Sequence, residues 1–82
     1  MNIMKQIQSL LERAKALHQQ RLDENISEAE GDRLYNAAWA LWEEAAQLIV
    51  DLTDSRVDHP TAMRIAIHRG DEVVDLLNRA CI

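Results

Sequence analysis

The apolar residues between positions 34 and 52 repeat at the three- and four-residue spacing of an α-helix. They form two rows, which lie about 90–100° apart around the helix axis. The first row contains Tyr35, Trp39, Trp42, Ala46 and Ile49, and the second contains Leu34, Ala38, Leu41, Ala45, Leu48 and Leu52. A helix with two apolar rows must be covered on two sides. We therefore expect this helix to lie in the middle of the fold, covered by two other helices or by one helix and a second molecule.

Two other segments each carry a single apolar stripe. In residues 2–23, Asn2 is a suitable N-cap, and the apolar residues then alternate at intervals of four and three: Ile3, Ile7, Leu10, Ala14 and Leu17. In residues 60–80 the apolar residues form one broad arc that keeps its helical phase across Gly70. The arc contains Ala62, Met63, Ile65, Ala66, Ile67, Val73, Val74, Leu76, Leu77, Ala80 and Cys81. This unbroken phase predicts one continuous helix.

The connections between these segments carry helix-start signals. Residues 27–30 fit a capping box, with Ser27 as the N-cap and Glu30 three residues later. Pro60 suits the first turn of a helix, with Asp58 or His59 as its cap. The sequence therefore predicts an all-α protein with one helical domain over residues 1–82, folded as a three-helix antiparallel up-down-up bundle that is able to dimerise. The predicted helices cover about residues 2–23, 28–53 and 60–80.

Gly70 has two interpretations. In the predicted bundle it lies level with Trp42, so we expect the indole ring to pack over the missing Cβ. Alternatively, Ala66, Gly70 and Leu76 resemble in their spacing the small residue, turn glycine and aliphatic residue of a helix-turn-helix DNA-binding motif. Asp71 then stands where that motif has an apolar residue, and residues 73–81 are too apolar to read base edges. We therefore expect no direct contact with nucleic acid.

Composition excludes several classes of protein. The 82 residues include 14 acidic and nine basic side chains, and a net charge of −5 opposes binding to nucleic-acid phosphates or to anionic lipid. Cys81 is the single cysteine, which excludes an internal disulfide and fits a reducing compartment. We find no signal peptide and no apolar run near the roughly 18 residues of a membrane span. We expect a cytoplasmic protein without a membrane partner.

The sequence offers little for catalysis or cofactor binding. The candidate metal ligands lack ligand spacing: they are His18, His59, His68 and Cys81. Among these, His18 is expected at the edge of the core, half-buried and hydrogen-bonded, or acting as a pH-sensitive contact. Gly31 and Gly70, the two glycines, both fall inside predicted helices, so there is no glycine-rich loop to hold a phosphate or a nucleophile. We expect no enzyme activity, no cofactor and no metal.

The aromatic residues are the strongest functional signal. Tyr35, Trp39 and Trp42 all lie in one row of the central helix, where they fill the core or form a binding hot spot. The predicted protein-binding residues are Tyr35, Trp39, Trp42, Glu43, Gln47 and Asp51. We expect a small, self-associating protein–protein interaction module, a homodimer. The alternative is a small acidic inhibitor or adaptor, of the anti-defence, anti-CRISPR-like type that mobile elements use, docking on a larger basic nucleic-acid-handling protein.

Overall fold

The computed structural model describes residues 2–80, without the side chains of residues 74, 78 and 80, and this part of the chain is helical with no strand. The helices are α1 (Ile3–Arg21), α2 (Glu28–Leu52), α3 (His59–His68) and α4 (Val73–Ala80), and a short 3₁₀ turn covers Gly70–Glu72. The all-α prediction is confirmed. Cys81, the last member of the predicted apolar arc, lies outside the described residues. No helix within residues 2–80 has both the length and the apolar content to cross a bilayer.

The predicted caps of the first two helices are present. Asn2 Oδ1 accepts a hydrogen bond from the amide of Met4 at 2.9 Å, and Ser27 Oγ accepts one from the amide of Glu30 at 3.2 Å. The carboxylate of Glu30 pairs with Arg33 at 3.2 Å, one turn further along α2. Ser27 is therefore the N-cap of α2, and the acid of the capping box serves an ion pair within the helix.

The C-terminal end of α2 is closed by Thr53. Its hydroxyl donates to the carbonyl of Ile49 at 2.8 Å and accepts from the amide of Val57 at 3.3 Å, and the residue is buried. The next two residues have left-handed backbones, with φ of 52° at Asp54 and 65° at Ser55. Because continued right-handed helix is incompatible with these angles, α2 ends here.

The N-cap of α3 is Asp58, with Pro60 in the first turn as predicted. Asp58 Oδ1 accepts from the amide of Thr61 at 2.9 Å. Hydrogen bonds from the side chain and the backbone of Thr61 lower the pKa of Asp58 below its ordinary value. The charged carboxylate is therefore the form that begins α3.

The prediction of one continuous helix over residues 60–80 is wrong, because the helix breaks at Arg69. This residue has φ −131° and ψ 32°; its amide still bonds the carbonyl of Ile65 at 2.8 Å, and its own carbonyl accepts from the amide of Glu72 at 3.0 Å. The apolar phase is unchanged by a bend, so it did not report the break. Gly70 weakens the helix by about 1 kcal/mol. The bend also brings Asp71 to 3.5 Å from Lys15 of α1.

The helices pack around a single apolar cluster. α1 and α2 form an antiparallel hairpin, α3 packs on α2, and α4 contacts α1. The buried apolar residues are Ile7, Leu10, Leu11, Ala14, Ala38, Trp42, Ala45, Ala46, Ile49, Ala62, Met63, Ala66, Val73 and Leu77. Both rows of α2 contribute to this list, so the expectation that α2 is covered on more than one side is met over its C-terminal half.

The prediction that Trp42 packs over Gly70 is wrong, because the residue next to Gly70 is Leu11. A Cβ built on Gly70 would meet Leu11, at 3.8 Å from Cδ1 and 3.9 Å from Cβ, and these are the atoms within 4 Å. The bend at Arg69 carries Gly70 toward α1 and away from the direct line along α2. Trp42 and Gly70 still line the same cleft.

Candidate protein-binding surface

The candidate site arises because α3 ends level with Trp42. Residues 66–68 of α3 and the indole of Trp42 line one cleft of about 300 Å³. Beyond that level, the N-terminal half of α2 packs against the C-terminal half of α1. The large apolar side chains that remain exposed in the described chain are Leu22, Tyr35 and Trp39, with exposed fractions of 65%, 36% and 38%. We call these three residues the aromatic surface.

Trp42 lies beneath the aromatic surface and is 6% exposed. Its ring centroid is 6.4 Å from that of Tyr35 and 6.3 Å from that of Trp39, and both pairs meet edge to face. The rings of Tyr35 and Trp39 are 6.2 Å apart. The buried face of Trp42 also contacts the ring of His18 at 5.8 Å. Each exposed ring is therefore held by a buried one, in geometries that aromatic pairs prefer.

Charged neighbours of opposite sign flank the two exposed rings. The guanidinium carbon of Arg21 lies 4.8 Å from the centroid of the Tyr35 ring, which is a cation–π contact. On the other side, the indole Nε1 of Trp39 donates to Glu43 Oε1 at 3.1 Å. The aromatic surface thus has a basic edge at α1 and an acidic edge on α2.

The predicted site residues separate into two groups. Trp42 belongs to the core, whereas the others lie on the outside of α2 as one i,i+4 ridge that winds around the helix: Tyr35, Trp39, Glu43, Gln47 and Asp51. Along this ridge, Gln47 Nε2 donates to Asp51 Oδ1 at 3.0 Å. The ridge is aromatic at its N-terminal end and acidic at its C-terminal end, and Glu43 joins the two parts.

Arg21 and Leu22 were not among the predicted site residues. Arg21 lies in the last turn of α1, and no pattern within that helix indicates its contact with Tyr35. The signal that would have found it is the antiparallel register, because a short loop between α1 and α2 brings the last turn of α1 beside the first turns of α2. The same register places Leu22, the residue after Arg21, at this end of the molecule.

The cleft beside Trp42 has an apolar floor and a polar rim. Leu11, Trp42 and Ala66 line the floor, and Lys15 and Asp71 stand at the rim. His18 also lines the cleft and is half-buried as expected, but its Nδ1 is buried without a hydrogen-bond partner. The predicted hydrogen bond is therefore not made at this atom.

Within residues 2–80, no group of three or more His, Cys, Asp or Glu side chains lies close enough to hold a metal ion. His59 and His68 are exposed, at the two ends of α3. Cys81, the remaining candidate ligand, lies outside the described residues.

Comparison of this chain with protein-family models, with curated protein sequences and with solved structures gives no match. The function therefore has to be argued from the surface itself.

Proposed function

We propose that this protein is a small, non-enzymatic protein–protein interaction module that self-associates through the aromatic surface. The observation that carries this proposal is the pair of exposed rings, Tyr35 and Trp39, held rigid by the buried Trp42. Tyr and Trp are enriched at protein interfaces because they bring a large contact area with few rotatable bonds. We also propose a cytoplasmic location, since the chain has one cysteine and an acidic balance.

A second copy of this chain is the partner that the charges favour. In a two-fold dimer the same patch meets itself, so a patch must be complementary to its own image. Arg21 and Glu43 stand on opposite edges of the aromatic surface, and a two-fold axis between the rings brings the Arg21 of one copy toward the Glu43 of the other. This local pairing offsets the repulsion between two chains that each carry a net charge of −5.

The size of the chain supports the same proposal. A folded chain of this length buries only about 60–65% of the surface that its unfolded form exposes, so its stability alone is small. Association that covers Tyr35, Trp39 and Leu22 removes the largest exposed apolar side chains from water. We expect a reversible dimer whose population depends on protein concentration.

The test is sedimentation over a wide range of protein concentration, with tryptophan emission followed in parallel. The chain should dimerise, and dissociation should shift the emission to the red, because Trp39 becomes more exposed. Trp39→Ala should raise the dissociation constant about tenfold or more, as expected for an interface hot spot. Gln47→Ala is the matched control: Gln47 lies on the same ridge two turns from Trp39, but outside the aromatic surface to which this proposal confines association.

Two results would contradict the proposal. The first is a monomer at every concentration, and the second is a dimer that Trp39→Ala and Gln47→Ala weaken equally. Circular dichroism of both variants separates lost association from lost folding.

The acidic end of the ridge favours a second candidate function. Glu43 and Asp51 accept hydrogen bonds from the uncharged donors Trp39 and Gln47, and these bonds do not neutralise the carboxylates. Such a face fits a small acidic inhibitor or adaptor that occupies a basic groove on a nucleic-acid-handling protein. This candidate predicts a 1:1 complex with one member of a panel of purified basic nucleic-acid-binding proteins, weakened by salt and by Asp51→Asn. Self-association without such a complex contradicts it.

A further inference from the structure

We infer that α4 is a lid for the aromatic surface. If residues 69–72 become α-helical, α3 and α4 join into one straight helix that runs over Tyr35 and Trp39. The surface is open in the bent form described above and closed in the straight form. The expectation that closure opposes self-association rests on the proposed function. The closure itself is a property of the fold and does not depend on that function.

The way the third segment lies along α2 supports this inference. These two helices run antiparallel, and the last residues of α3, 66–68, line the same cleft as Trp42. In a straight helix, the residues that follow α3 are level with residues that precede Trp42 in α2. The turn and α4 would therefore run along the part of α2 that carries Trp39 and Tyr35.

The apolar stripe of the third segment also fits a straight helix. Ala62 and Ala66 are buried against the core, and Val73 and Leu77 continue their side of the helix at the spacing of a single stripe. Val73 and Leu77 are buried in the bent form too, at 1% and 2% exposed. The same side chains therefore have an apolar contact in either form, so straightening exchanges one apolar contact for another.

Few backbone angles differ between the bent form and a straight helix. Gly70–Glu72 is already a 3₁₀ turn, and Val73, with φ −58° and ψ −39°, is already α-helical. Arg69 is the residue whose angles lie far from the helical values. Gly70 does not use a positive φ, so its backbone is open to other residues. Rotation at Arg69 is the main change that a straight helix requires.

The bent form is held in part by an ion pair that crosses from the turn to α1. Lys15 Nζ and Asp71 Oδ2 are 3.5 Å apart, and both side chains are mostly exposed. Exposed ion pairs of this kind are weak and are screened by salt. The balance between the two forms should therefore respond to ionic strength and to single substitutions at the turn.

Gly70→Ala is the decisive variant. Alanine fits the bent form, because its Cβ would make ordinary contacts with Leu11. It also favours a regular α-helix over glycine, by at most about fivefold here because Gly70 is already in a 3₁₀ turn in the bent form. At concentrations where the protein is monomeric, Gly70→Ala should move the Arg69 ¹³Cα chemical shift toward the helical value. It should also reduce acrylamide quenching of Trp39, which is the exposed indole. Asp71→Asn should produce the same two changes by removing the contact to Lys15.

Gly31→Ala is the matched control. It makes the same substitution inside α2, where the new Cβ would meet Ile26 and Arg21 at 3.7 and 3.8 Å, and it does not touch the turn. It should leave both signals unchanged. An Arg69 shift that stays non-helical in Gly70→Ala would overturn the inference. A helical Arg69 with unchanged quenching of Trp39 would overturn it equally, since the straight helix would then leave the surface open.

These readouts separate the lid from the proposed function. The chemical shift and the quenching are measured on the monomer, so they test the lid even if the chain never dimerises. If the chain dimerises and the lid exists, Gly70→Ala should also raise the dissociation constant by up to about 25-fold, because both copies must open and the substitution favours the closed form by up to about fivefold in each. A dimer whose affinity Gly70→Ala leaves unchanged would show that closure does not regulate this surface.

Discussion

The buried side chain of Thr53 connects the end of α2 to the following loop. Its hydroxyl is the donor to Ile49 and the acceptor for the amide of Val57, and the side chain is 3% exposed. Thr53→Val keeps the shape of the side chain but leaves the Val57 amide without this acceptor. We expect the free energy of unfolding to fall by about 1–2 kcal/mol, the usual cost of an unsatisfied buried group. Urea denaturation measures the change, with Thr53→Ser, which keeps the hydroxyl, as the control.

Trp39 and Trp42 have different roles although they are neighbours on α2. Both belong to the first row of α2, and their rings lie 6.3 Å apart, yet one is 38% exposed and the other 6%. The sequence correctly placed both tryptophans in this row, but the exposure of each indole ring depends on where α3 ends. That end is set by the backbone at Arg69, 27 residues beyond Trp42 in the chain. The two interpretations of the aromatic row, core or interface, therefore apply to different residues.

At the scale of elements, the N-cap of α3 gives a prediction about pH. The pKa of Asp58 is lowered by its hydrogen bonds with Thr61, so the folded state prefers the charged carboxylate. A lowered pKa in the folded state adds stability that is complete above the unfolded value of about 3.9 and is lost as the pH falls through the lower folded value. Between pH 7 and pH 3 the wild type should therefore lose more stability than Asp58→Asn, which still caps the helix but does not titrate.

Denaturant unfolding at the two pH values provides the comparison. Other carboxylates titrate in both proteins, so the difference between them isolates Asp58. Equal losses in the wild type and in Asp58→Asn would show that the charge of the cap does not contribute.

Local signals predicted the helix starts, and long-range contacts decided the rest. Asn2, Ser27 and Asp58 each cap the helix that follows them, because a cap depends only on the next three residues. The break in the third segment brings Asp71 to Lys15, which is 56 residues away in the chain, and no local pattern reports that contact. The spacing of Ala66, Gly70 and Leu76 was the one local signal that placed a turn near Gly70.

The candidate site was predictable to a similar degree. The i,i+4 ridge from Tyr35 to Asp51 follows from helical geometry alone, and it lies on the outside of α2. Arg21 and Leu22 belong to α1 and join the site only through the hairpin. No pattern within α2 indicates them.

At the scale of the whole molecule, association and stability are linked. A partner that binds only the folded chain raises its apparent stability in proportion to the logarithm of its concentration. In a self-associating protein that partner is the protein itself, and Tyr35 and Trp39 are the exposed groups that the proposed dimer would remove from water. Each tenfold increase in concentration above the dissociation constant should therefore raise the midpoint of thermal unfolding by about 3–5 °C for a chain of this size.

Trp39→Ala turns this linkage into a test of the aromatic surface. If the dimer forms there, the midpoint of the variant should begin to rise only at a concentration about tenfold or more above that of the wild type, whereas Gln47→Ala should match the wild type. The absolute midpoints are not informative here, because a truncated tryptophan also removes its contacts with Tyr35 and Trp42 in the monomer. The slope against concentration reports association alone. A rise that begins at the same concentration in Trp39→Ala as in the wild type would show that the copies meet on another surface, and a wild type without any slope would contradict self-association.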